Sequence, residues 1–177
     1  EQNKLQKIAA LHGKFDKECV NMVYEVELKS LPAVKVLSLR GIVPQYRDEG
    51  ILWQKLGMYI NQKQIKVNKD GYSTYFDEYY KETDPDIEIA VPVDVLGESD
   101  GDFIYKEYPE INLAAVVRFS GNFDGGYDAA NEKLAGWMEK NGYAFAGNLR
   151  GHVIVSPDED SNPDNWLTEL QVPVRKA

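Results

Sequence analysis

The chain writes one short strand twice. "DIEIAVPV" at 86–93 and "LTELQVPV" at 167–174 each carry a Glu, an aliphatic residue, one variable residue and Val-Pro-Val. Other landmarks repeat at nearly the same distance. Gly41 and Gly121 stand 80 apart, as do Gly71 and Gly151, and Pro92 and Pro173 stand 81 apart. A fixed period of this size in a chain of 177 residues points to a unit used twice, with the two copies burying their apolar faces together.

The pattern between the landmarks agrees. "VYEVELK" (23–29) and "AVKVLSLR" (33–40) alternate as half-buried strands do, and Leu31-Pro32 separates them. Ile51, Leu52, Leu56, Tyr59 and Ile60 recur at helical spacing over 48–60, and "YSTYF" (72–76) and "DIEIAVPV" follow as strands. The second half repeats the order: "FIYKEY" (103–108), "INLAAVVRFSG" (111–121), a helix near 125–140 with Leu134, Trp137 and Met138, "GHVIVSP" (151–157) and "LTELQVPV". The predicted fold is α+β, an internal duplication of a β-β-α-β-β unit with half-repeats at 23–96 and 97–177. Two antiparallel sheets, each with one helix, are expected about a pseudo-twofold axis and a central groove. Residues 1–22 differ: Leu5, Ile8, His12, Phe15, Cys19 and Met22 form a heptad seam, read either as an N-terminal helix packed on its own domain or as the tail of a longer coiled coil.

Composition narrows the function. A net charge of −9 repels phosphate backbones, so the chain alone is a poor nucleic-acid binder. No run of 18 apolar residues or export signal stands in the sequence, and a single Cys19 fits a reducing cytoplasm. Two His and no CxxC, HExxH or GxSxG give thin material for a metal site or a catalytic triad, and neither metal nor cofactor is expected. The "SPDEDSNPD" stretch (156–164) lacks the spacing of an EF-hand and reads as a solvated loop. The 11 Tyr and 3 Trp suit a pocket as well as a core. Alternation puts Glu88 and Glu169 opposite the aliphatic face of their strands, where a curved pair of sheets could form a shared groove.

Together, "YEVELKSLPAVKVLSLRG", "LWQKLGMYI", "ANEKLAGWMEKNGYAFAG" and "GHVIVSPDEDSNPDNWLTELQVPV" resemble the gyrase-inhibitor-like small-molecule-binding domain, the effector domain of multidrug-sensing MerR-type transcription regulators. The resemblance covers about residues 22–175. It implies a ligand groove lined by aromatics and one or two carboxylates, lipophilic organic cations as ligands, and a DNA-binding domain upstream of this chain. It also implies that residues 1–22 are the end of the linker helix to that domain, and the Leu5–Met22 seam predicts a homodimer of the full-length regulator. Relatives often carry a groove Glu in a stretch of the type Arg-Glu-Ile-Tyr. Here Arg150-Gly151-His152-Val153-Ile154 stands there, with His152 in the place of the Glu and Ile154 in that of the Tyr, while Glu169 matches a second acid. A cation, a weak base and a neutral aromatic all remain open as ligands. Glu169 beside His152 would favour the protonated imidazole. The expected groove residues are Glu169, His152, Tyr75, Trp53 and Trp137, with Ser73, Tyr46, Phe123, Ile154 and Glu88. Two other roles belong to relatives of this fold: hydrolysis of strained-ring cytotoxins with Glu169 as base, and inhibition of a protein partner.

Overall fold

The computed structural model describes residues 22–177. The heptad segment otherwise lies outside the described residues, and Met22 opens the first strand. The strands are β1 (Met22–Val23), β2 (Glu27–Leu31), β3 (Val34–Ile42), β4 (Gly71–Tyr75), β5 (Asp86–Pro92), β6 (Phe103–Tyr108), β7 (Ile111–Ser120), β8 (Tyr143–Phe145), β9 (Arg150–Val155) and β10 (Leu167–Lys176). Among the described residues two α-helices interrupt them, α1 (Gly50–Lys63) and α2 (Phe123–Asn141). Helix α2 stops where Gly142 takes a left-handed φ of 69°, which costs glycine nothing, and its N–H returns to the last carbonyls.

Period-2 alternation sorts the sheet into two faces. One rung runs Leu39, Ile89, Ser73, Gly151, Leu170, Val117 across five strand pairs. Both helices pack on that face. Leu52 and Leu56 of α1 meet Leu37, Leu39, Ile87 and Ile89, while Ala130, Leu134 and Met138 of α2 meet Ala115, Val117, Phe119 and Leu170. The neighbouring rung, Ser38, Ala90, Tyr72, His152, Glu169, Arg118, points the other way.

The expected pair of sheets is instead, among the described residues, one sheet of ten strands, in the order β1-β7-β10-β9-β4-β5-β3-β6 with β2 also on β7 and β8 on β10. The reason is the β4–β9 pairing, which satisfies two edges that separate sheets would leave open. At that seam Tyr72 pairs with His152, flanked by Gly71 opposite Val153 and Ser73 opposite Gly151. The leading strands cross over: β2 pairs with β7 of the second half, and β6 with β3 of the first. One sequence equivalence shifts. Glu169 pairs with His152, but the residue paired with Tyr72 is Ala90; Glu88 lies two residues further along, beside Thr74. The two Val-Pro-Val acids therefore share a face without sharing a register.

Candidate functional site

A cavity of about 710 Å³ opens between α1 and α2 on the helix-bearing face of the sheet. That volume suits a drug-sized ligand. Its floor is β4, through Gly71, Ser73 and Tyr75; its walls include Trp53 of α1, Phe123 and Tyr127 of α2, and Tyr46. Two glycines let the helix aromatics lie close on the sheet. A Cβ at Gly71 would stand 2.8 Å from the Trp53 ring, and one at Gly151 would stand 2.3 Å from the Tyr127 hydroxyl.

The cavity holds an acid that the repeat did not disclose. A 3₁₀ turn (Tyr46–Asp48) leads to Glu49, immediately before α1. The Trp53 Nε1–H donates to Glu49 Oε1 at 2.8 Å, the Ser73 hydroxyl donates to the same oxygen, and the Tyr75 hydroxyl donates to Oε2 at 3.2 Å. Among the described residues no Lys, Arg or His forms an ion pair with this carboxylate. Burial pushes the Glu49 carboxyl above its ordinary range, against the pull of its three donors. Burial and the nearby Glu49 charge push the Tyr75 and Tyr127 phenols up as well, which keeps both neutral. Their rings meet edge to face, with centroids 6.4 Å apart.

Of the residues expected together, Trp53, Tyr75, Ser73, Tyr46 and Phe123 line this cavity. Glu169, His152 and Glu88 do not, because they belong to the opposite face of the sheet. Register decides this: Ser73 pairs with Ile89 on the helix face, whereas His152 pairs with Tyr72 on the other. Glu169 is buried and occupied there, accepting from Lys29 at 2.9 Å, Arg118 at 2.8 Å and Gln171 at 2.8 Å. Burial alone would raise its carboxyl, but the bonds from Gln171, Lys29 and Arg118 outweigh it and hold it below the ordinary range. Glu88 accepts from Lys106 and from the Tyr108 hydroxyl at 2.8 Å. His152 stacks on Tyr72 with centroids 4.5 Å apart. Burial pushes its imidazole down despite Asp70 and Glu169, so the expected protonated form gives way to the neutral one. Trp137 stacks on Tyr143 at 5.3 Å beside the α2 core, and Ile154 is the extra residue at a bulge between β9 and β10.

Glu49, Tyr127 and Asn131 are cavity residues that the sequence reading missed. Glu49 arises on a stretch between Ile42 and Gly50, whereas only two residues separate Ser120 from Phe123 in the second half. A repeat-based search is blind to a residue with no counterpart. Its one signal was the four-residue spacing to Trp53, which puts both on one helix face.

A solved structure described as the EcmrR C-terminal domain aligns with 88% of this chain and 100% of its own, at 29% identity and a TM-score of 0.79. EcmrR in a cryo-EM structure of its DNA complex aligns with 98% of this chain at 25% identity and a TM-score of 0.78, and this chain spans 66% of that polypeptide. A hydrolase from Listeria innocua shares the fold at 12% identity and a TM-score of 0.58, over 85% of this chain and 92% of its own. No curated protein matches the sequence. Residues 24–175 match the family described as the GyrI-like small molecule binding domain, and the chain belongs to that family.

Proposed function

We propose that this domain is the ligand-sensing part of a transcription regulator and that its cavity takes an amphipathic aromatic cation. The observation that carries the reading is Glu49: a carboxylate in an aromatic wall, with three neutral donors and no cation paired to it among the described residues. A desolvated charge without a counter-charge is costly, and a cationic ligand relieves that cost. Trp53, Tyr75 and Tyr127 add apolar area and cation–π attraction. The role is binding without turnover. A hydrolase built on Glu169 loses its base, since that carboxylate is spent on Lys29 and Arg118 across the sheet.

Contact with DNA belongs to a segment outside this chain, in keeping with its −9 charge and with the greater length of EcmrR in its DNA complex. Dimerisation belongs to the seam from Leu5 to Met22, and the cytoplasm is its compartment. No helix among the described residues is long and apolar enough to cross a membrane. We also infer that the two halves descend from one unit whose pseudo-twofold axis passes the Tyr72–His152 pair, supported by the mirrored pairs on either side and the exchanged leading strands.

Fluorescence polarisation with rhodamine 6G, a cationic dye, and fluorescein, an anionic one of the same ring system, tests the reading. The cation should bind, fluorescein should not, and Glu49→Gln should weaken the cation by about 1–3 kcal/mol. Equal binding of both dyes, or an unchanged affinity in the variant, would reject a cation site.

A further inference from the structure

Helix α2 offers the cavity a second polar group. Phe123, Tyr127 and Asn131 stand four residues apart, so one face of the helix presents all three, and all three border the cavity. Asn131 is 0% exposed. Neither its Oδ1 nor its Nδ2 has a hydrogen-bond partner among the described residues. An Asn amide can accept twice and donate twice, and buried polar groups in folded proteins are nearly always paired. A leucine would fill the same space without the cost of an unpaired amide. The other polar groups near the floor are committed: Ser73, Trp53 and Tyr75 all donate to Glu49. The Asn131 amide is left without a partner, among the described residues, beside a cavity whose carboxylate already takes those three donors.

We propose that Asn131 is a specificity residue of the cavity, and that the ligand carries, besides its aromatic cation, a neutral group that both donates and accepts, of the carboxamide type. The inference rests on the cation reading of the same cavity. It divides the ligand between two walls: the positive ring lies at Glu49 beside Trp53, and the amide-like group reaches α2. Because Asn131 is fully covered, the arriving group must part the side chains over it. A wholly apolar group gains nothing there, so the residue discriminates between ligands of equal charge and ring. The discrimination is of the strong kind, since an analogue lacking the group leaves a buried amide unpaired.

Two probes separate the terms. 1-Benzylpyridinium and 1-benzylnicotinamide share ring, charge and benzyl arm, and only the second has a carboxamide. Isothermal titration against the whole chain should show the carboxamide probe binding at least about tenfold more tightly. Asn131→Leu, of similar volume, and Asn131→Ala should each abolish that preference, read as the ratio of the two probes' affinities in the same variant. Glu49→Gln should weaken both probes alike. Equal affinity of the two probes for the wild type would overturn the inference and needs no variant to fold; if Glu49→Gln still weakened both, the cation reading would stand. A preference that persists in Asn131→Leu would also overturn it. Failure of both probes to bind would overturn the cation reading and this inference with it.

Discussion

Glu49 and Glu169 are buried carboxylates that burial alone would treat alike, and their partners drive them apart. Glu49 has neutral donors and its carboxyl is raised; Glu169 has two cations and is lowered. The signs of their pH effects are therefore opposite. A raised Glu49 adds stability below the ordinary value near 4.5, and that stability is lost as pH rises through its folded value. Glu49→Gln should thus raise the melting temperature at neutral pH and lose that advantage in acid, as thermal melts from pH 4 to pH 8 would record. Affinity for a cationic dye should climb through the same window in the wild type and stay flat in the variant. Glu169 adds stability above the ordinary value, lost as pH falls through its depressed one. Its cations are partly exposed, at 32% for Lys29 and 49% for Arg118, so solvent screens them. Glu169→Gln should cost about 1–2 kcal/mol near neutrality by urea denaturation and leave dye affinity unchanged.

At the scale of elements, the paired glycines explain why the helices can frame a cavity on a sheet. Gly71 lies under Trp53 and Gly151 under Tyr127, so each helix aromatic rests against bare backbone. Gly71→Ala and Gly151→Ala should each cost about 1–3 kcal/mol by overpacking, read as a lower urea midpoint. Each should also weaken dye binding, because Trp53 and Tyr127 both line the cavity. These glycines were legible in the sequence as landmarks of the repeat, and the helices and most strands were legible through their periodicities. The acid was not. Alternation placed Glu169 and Glu88 on one face correctly but could not say that the cavity lies on the other, since that depends on where the helices pack. The β4–β9 seam was also hidden: an edge strand carries no mark of the strand that will cover it. Beta-strand β8 is only three residues long and lies outside any strong pattern.

The whole molecule is tied together by exchange. Among the described residues, strand β2 pairs with β7 of the second half and β6 pairs with β3 of the first. Residues 22–96 and 97–177 made separately should each fail to unfold cooperatively by circular dichroism, and mixing them should restore one transition; an independently cooperative half would contradict the exchange. The same sheet also anchors Met22 and Val23, where the described residues begin. Strand β1 lies on the end of β7 through the Met22–Ser120 and Val23–Phe119 pairs. Phe123, in the cavity wall, follows Ser120 by three residues. In mechanical terms this is a short crank. The strand on which the described residues begin and the wall that a guest would press share one corner of the protein, joined by paired backbone.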